Sequence, residues 1–457
     1  MMDDSKVDVA CQELRRILGR CKQTTGEIWV ADDGHPALEG KFGKDVLFDH
    51  EVYHFLQFNG TPLGYAFSAL SRMPALRTLD TVHRLHETGC QKLLIPLVLW
   101  KQKEERGSVK ELLGYLTDRC TVLSAQLGDF WGGEVESALD HVSRFRGIPP
   151  CVVINDVDPR WSNRLFALGM QHVIEGAAAF VDMVHVWGAL SRGDISVDTY
   201  NRFVQYQDVH VGPEYRVMLA AVSKFFRNCS FDRDSAATCL ALCDLSMQGC
   251  WLGGVDPSAV GGGFLSLRQH HPGWRLMQLA ECAAQIDRLS QSALTDTSGE
   301  DYKKYTEELS KRVFPDCPTP LQIAELCSQR MDDGQCGPWD RRYKGLCKFR
   351  LEHPNALAFP WLFWRELVSI GEVWWVNDMV KFRDATDSTL MDAFAQIIAQ
   401  QLLLDTEITC PSLLRSHCRF ENGCTGQGPI DPRSDCMLRI GFETMFGFAL
   451  EGVHSVS

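Results

Sequence analysis

TVLSAQLGDFWGGEVESALDHVSRFRGIPPCVVINDVD, residues 121–158, is the stretch whose reading decides the fold. Thr121–Leu123 is a short apolar run, and Ser124 falls where such a strand runs out. Gly128, Gly132 and Gly133 follow as flexible backbone. Across Glu134–Arg146 the apolar residues Val135, Ala138, Leu139, Val142 and Phe145 recur at helical spacing, the mark of an amphipathic helix. Pro149 and Pro150 stop it, and Cys151–Ile154 is a β-rich run ending in Asn155, Asp156 and Asp158. Strand, helix and strand joined by a right-handed crossover form the unit of a parallel sheet. Ligands of such sheets bind beyond the carboxyl ends of the strands. The expected fold is therefore α/β, a parallel sheet with helices on both faces, with Ser124 and Asn155/Asp156 at one crevice.

The rest of the chain bounds this reading. Its 457 residues are 45% hydrophobic and 23% charged, an ordinary globular balance that allows one large domain or several smaller ones. The net charge of −13 argues against non-specific nucleic-acid binding, so DNA is not expected as a partner. No run reaches the roughly 18 uninterrupted apolar residues of a membrane span, and the acidic start MMDDSKVDVACQ is no secretory signal. The 18 cysteines include no CxxC pair, which fits reduced thiols and a cytoplasmic location. His270-His271-Pro272 lacks a third ligand, so no metal is expected.

Along the chain, Val9–Cys21 reads as a helix and Tyr53–Phe58 as a strand before an Asn59-Gly60 turn. Leu93–Trp100 reads as an edge strand, because Pro96 interrupts it. Asn163–Leu190 is apolar on more than one face, as a deeply packed helix is. Gly212-Pro213 starts a helix with Glu214 and Tyr215 in its first turn. The Gly-rich segment at 253–264 matches no phosphate-binding loop. RRYKGLCKFR (341–350) interleaves basic and aromatic residues, the composition of a surface for phosphates and stacked bases. VWWV (373–376) reads as a buried strand. The expected organisation is an N-terminal extension packed on the core (1–110), a catalytic domain in two parts (111–239 and 341–457, the second with the tail), and an insertion (240–340).

With VLSAQLGDF (122–130), CVVIND (151–156), GPEYR (212–216) and LEHP (351–354) in hand, the chain resembles the cyclodipeptide synthases, most of all their larger arginine-containing fungal branch. The resemblance implies a Rossmann-like catalytic domain similar to that of class I aminoacyl-tRNA synthetases. It implies two aminoacyl-tRNAs as substrates and a diketopiperazine as product. Ser124 would receive the first aminoacyl group, Glu352 would hold the α-amino group, and Tyr215 would stand at the rim of the site. The substrate pocket would draw on Val122, Val152, Asn155, Asp156, Asn355 and Trp375. Arg341, Arg342, Lys344, Lys348 and Arg350 would meet tRNA, because Gly176–Leu190 carries no lysine or arginine. Where the family has tyrosines, this chain has Lys348 and Trp374-Trp375-Val376.

That chemistry needs no cofactor. An aminoacyl-tRNA is already an activated ester, so acyl transfer to Ser124 requires neither ATP nor metal. Glycine-flanked backbone after Ser124 would offer N–H groups to the developing oxyanion. The alternative is a non-catalytic tRNA- or aminoacyl-tRNA-binding relative. An all-helical terpene cyclase is set aside, since the chain lacks DDxxD and residues 121–156 read as strand–helix–strand.

Overall fold

The computed structural model describes residues 18–22, 27–68, 93–96, 150–154, 164–210, 212–226, 230, 232–249, 271–315, 317–330, 338–371, 374–375 and 453–456. Two short strands, β1 (Gly19–Lys22) and β2 (Glu27–Val30), precede a long helix α1 (Gly40–Gly60). β3 (Leu93–Pro96), β4 (Cys151–Ile154) and β5 (Arg164–Ala167) lead to helix α2 (Met170–Arg192). Helices α3 (Val197–His210), α4 (Pro213–Ser223), α5 (Arg233–Ser246), α6 (Pro272–Ala283) and α7 (Glu300–Val313) follow. The described part closes with α8 (Pro320–Arg330), α9 (Pro338–Glu352), α10 (Trp364–Gly371) and the short strands β6 (Trp374–Trp375) and β7 (Val453–Val456).

This overturns the expected Rossmann-like parallel sheet: the described residues are predominantly helical. β4 forms where Cys151–Ile154 predicted it, but it pairs antiparallel with β5, Cys151 opposite Ala167 and Ile154 opposite Arg164. The physical reason is the connection. Only residues 155–163 lie between the two strands, fewer than the dozen or more that a parallel crossover needs. The segment expected to begin a helix at Asn163 therefore folds first as β5, and the helix starts at Met170. Thr121–Leu123, Ser124 and the helix expected over 134–146 lie outside the described residues.

A second expectation also fails. Tyr53–Phe58, expected as a strand, is the C-terminal half of α1. From His50 to Gly60 every residue of α1 is buried, so this half of the helix has no solvent face and no amphipathic stripe. At its end Asn59 Nδ2 donates to Phe55 O, and the Thr61 hydroxyl donates to Gln57 O while accepting from Gly64 N. These bonds satisfy carbonyls that a helix terminus leaves unpaired.

Helix α1 packs against α2 on one side and against α9 and α10 on another, with β1 and β2 laid across it. α2 is the other central helix. By length and composition it could cross a membrane, yet 67% of its most apolar window is buried inside the fold. Gly176 lets α4 approach: a Cβ there would meet Met218 within 2.7 Å. α2 ends at Gly193, whose left-handed backbone (φ 78°) returns its N–H to Ala189 and Leu190 carbonyls. The main core gathers α2, α4, α5, α6 and α7, and a smaller one joins β2, α1, α9 and α10.

Four helices meet at Asp244 of α5. It accepts from Arg350 of α9 (3.1 Å to Nη1), from the Tyr302 hydroxyl of α7 and from Gln248 Nε2 (3.0 Å), with Tyr53 of α1 alongside. Both Asp244 and Arg350 side chains are 2% exposed. Burial alone would lower the Arg350 pKa, but Asp244 and Tyr302 push it above the usual range, so the guanidinium stays charged.

Candidate metal centre

A helical segment buried on all sides, as residues 50–60 of α1 are, should carry no unpaired charge, because burying a lone charge costs several kcal/mol. α1 nevertheless buries His50, Glu51 and His54. Their partners come from α2, which runs antiparallel beside it. His54 Nε2 lies 3.2 Å from Glu175 Oε2, and His50 Nε2 lies 3.7 Å from the same oxygen. His50 Nδ1 is 2.9 Å from Asp182 Oδ2. One turn further on, His185 Nδ1 meets Asp49 Oδ2 at 2.7 Å.

Glu175 Oε2 is buried, and neither histidine has the alignment of a hydrogen bond to it. The three ligand atoms of His50, His54 and Glu175 lie within 4.8 Å of one another, the one such set of three among the described residues. A tetrahedral zinc at the usual ~2.0–2.1 Å from each ligand would set its ligands about 3.3 Å apart, against 3.2 and 3.7 Å for the two histidines to Glu175 and a His50–His54 separation within 4.8 Å. Two imidazoles and a carboxylate form a donor set of catalytic zinc sites. His50 presents Nε2 because its other ring nitrogen is held by Asp182, the usual outer carboxylate of a metal-bound histidine. The residues present therefore fit a divalent cation of the zinc type.

The electrostatics follow from this crowding. Burial would raise the Glu175 carboxyl, but His54 and His50 hold it well below the usual carboxylate range. Burial would lower His50, but Asp182 and Glu175 push it well above an ordinary histidine. Glu51 is raised by burial, partly offset by His54 and His50. Tyr215, in the first turn of α4, stands with its ring 6.0 Å from that of His50. Burial and then Glu175 and Glu214 push its hydroxyl well up, so it remains a proton donor. His35 and His172, both lowered to about 4 mainly by burial, are neutral neighbours.

Of the residues expected from sequence and described by the structure, Tyr215 alone is at this cluster. Glu352 is exposed at the end of α9. Val152 is a core residue of β4. Asn355 is fully buried, with Nδ2 donating to Asp296 O at 2.7 Å. Of the basic residues proposed for tRNA, Arg342, Lys344 and Arg350 are buried, while Arg341 and Lys348 are exposed. Ser124, Val122, Asn155 and Asp156 lie outside the described residues, as does the side chain of Trp375, whose backbone forms part of β6.

The ligands themselves escaped the sequence reading, although their signal is short and specific. His50-Glu51-Val52-Tyr53-His54 is His-Glu-x-x-His, which on a helix sets two imidazoles one turn apart with a glutamate between them. Reading Tyr53–Phe58 as a strand hid it, because the pattern has chemical meaning only at helical spacing. Glu175 carries no comparable signal and is found only through the packing of α2 on α1. The chain matches no family model, no curated protein and no solved structure.

Proposed function

We propose that this protein is a zinc-dependent hydrolase of peptide bonds, with His50, His54 and Glu175 as metal ligands and Glu51 as general base. The observation that carries the reading is the closeness of those three ligand atoms, within 4.8 Å of one another, with His50 held on its other nitrogen by Asp182. Bound zinc would supply a water of lowered pKa and polarise the scissile carbonyl. Glu51, its pKa raised by burial, is suited to take the proton of the attacking water and pass it to the leaving amine. Tyr215 keeps its proton and can donate a hydrogen bond to charge developing on the carbonyl oxygen.

The strand beside Glu51 supports a peptide as substrate. Leu18 and Ala31 are hydrogen-bonded across the β1–β2 pair, so the backbone N–H and C=O groups of Arg20 and Lys22 also turn to β2, while Gly19 and Cys21 direct their amides outward. β1 is the outer strand of its sheet among the described residues. An extended peptide can pair with that edge and pass the Glu51 carboxylate. The test is metal analysis of the purified protein, followed by cleavage of a quenched-fluorescence peptide library with and without a chelator. A protein that takes up no stoichiometric zinc, or whose zinc form cleaves no peptide, sinks the reading.

One observation favours a second reading, the aminoacyl transfer expected from the sequence: the GPEYR tyrosine, Tyr215, stands at the buried polar cluster. In that reading Ser124 carries the acyl group, and two aminoacyl-tRNAs yield a cyclic dipeptide without metal. Incubation with charged tRNAs and intact-mass measurement decides it, since wild type must carry an aminoacyl adduct that Ser124→Ala lacks.

A further inference from the structure

We propose that Gly19 is a positioning residue: the missing side chain at this position of β1 is what lets the Glu51 carboxylate stand beside the metal ligands. The proposal rests on the reading of Glu51 as general base. A Cβ at position 19 would meet Oε1 of Glu51 in a clash, with Cγ at 2.9 Å and Cδ at 3.0 Å. Contacts that close are not tolerated between a real Cβ and its neighbours. Three consecutive atoms of the Glu51 side chain lie against the strand, so rotating the carboxylate alone does not clear a methyl group.

Backbone conformation gives no other reason for glycine here. Gly34, Gly40, Gly193 and Gly299 have positive φ, and Gly19 is not among them. It sits in an extended strand that any residue can adopt, opposite Val30. On the same face, two residues on, the Cys21 thiol is pushed up by burial and then by the charge of Glu51. Glu51 also lies close enough to His54, His50, Glu175 and Asp182 to feel their charges. The carboxylate thus lies against β1 within reach of the ligand set, and the absence of a side chain at Gly19 gives it room.

A side chain at 19 would move Glu51 while leaving His50, His54 and Glu175, which come from α1 and α2, in place. Crystal structures of the wild type and Gly19→Ala test this without substrate. The Glu51 carboxylate is expected to shift by about 1 Å or more, a displacement that typically costs on the order of 100-fold in rate. In a wild type that cleaves a quenched-fluorescence peptide, Gly19→Ala should lower kcat by about 100-fold, with KM and zinc content within about twofold. Truncation of residue 51 at Cβ removes all three contacting atoms, so adding Gly19→Ala to Glu51→Ala should cost about threefold or less beyond Glu51→Ala alone, a non-additivity expected of side chains in contact. An unmoved carboxylate, an unchanged kcat, or zinc lost along with activity overturns the proposal. A wild type without zinc or peptidase activity removes the hydrolase reading instead, and the two crystal structures still decide the contact between Gly19 and Glu51.

Discussion

Replacing Asp182 by alanine should weaken metal binding without unfolding the protein. Asp182 Oδ2 receives His50 Nδ1 at 2.9 Å, and the Asp182 side chain is only 6% exposed. A hydrogen bond to a charged group in such a setting contributes about 1.5–3 kcal/mol. Each 1.4 kcal/mol is tenfold in affinity, so the loss of this bond predicts zinc affinity lower by about 10- to 150-fold. The range agrees with the 10- to 100-fold typical of outer carboxylates behind metal-bound histidines. Alanine is the best helix former, and the apolar neighbours Phe180, Val181 and Met183 keep α2 seated in the core. The assay is zinc competition against a chromophoric chelator at constant pH, beside circular dichroism to confirm an intact helical fold. A variant whose zinc affinity stays within twofold of wild type would show that His50 does not bind metal through Nε2 with Asp182 behind it.

Three further outcomes are expected. Glu51→Gln should retain stoichiometric zinc by elemental analysis while peptide hydrolysis falls by roughly 10²- to 10⁴-fold, the usual contribution of a general base. Arg350→Met leaves the buried Asp244 without its cation and should cost about 3–5 kcal/mol in denaturant unfolding, whereas Arg350→Met with Asp244→Leu should recover much of it. His185 is partly exposed, and burial would lower its pKa, but Asp49 raises it above an ordinary histidine. Its contribution to stability is therefore full below about pH 6.5 and is lost as pH rises through the folded-state value. The gap in melting temperature between wild type and His185→Gln should narrow from pH 6 to pH 9; a gap that widens contradicts the pairing.

What the sequence made legible follows the physics of each segment. Helix α4 begins where Gly212-Pro213 and Glu214 announce it, because capping is a local signal. The apolar run expected as a deeply packed helix is one from Met170 onward, and β4 forms at Cys151–Ile154. The sheet failed because strand direction is not written in a strand: the distance to the next strand decided it, and β5 was hidden at the front of a run that reads as helix. α1 was misread for a related reason. Periodicity reports a boundary between water and core, and residues 50–60 meet no water. The basic window at 341–350 looked like a surface, yet Arg350 is neutralised inside the fold by Asp244, a partner 106 positions away. Two of the three candidate metal ligands are legible as His-Glu-x-x-His, and Glu175 is not, because only tertiary packing brings it there.

The antiparallel seating of α1 on α2 has a consequence for biosynthesis. His50 and Asp182 are 132 residues apart in the chain. At ribosomal rates of about 5–20 residues per second, roughly 7–26 s separate the emergence of the two helices. During that interval α1 presents two imidazoles and an apolar surface with none of its later neighbours. A nascent chain at this stage is a bidentate ligand with an exposed hydrophobic helix, open both to the wrong metal and to aggregation. Arrival of α2 brings Glu175 and Asp182 to the two imidazoles, while the apolar surface is fully covered only when α9 and α10 follow.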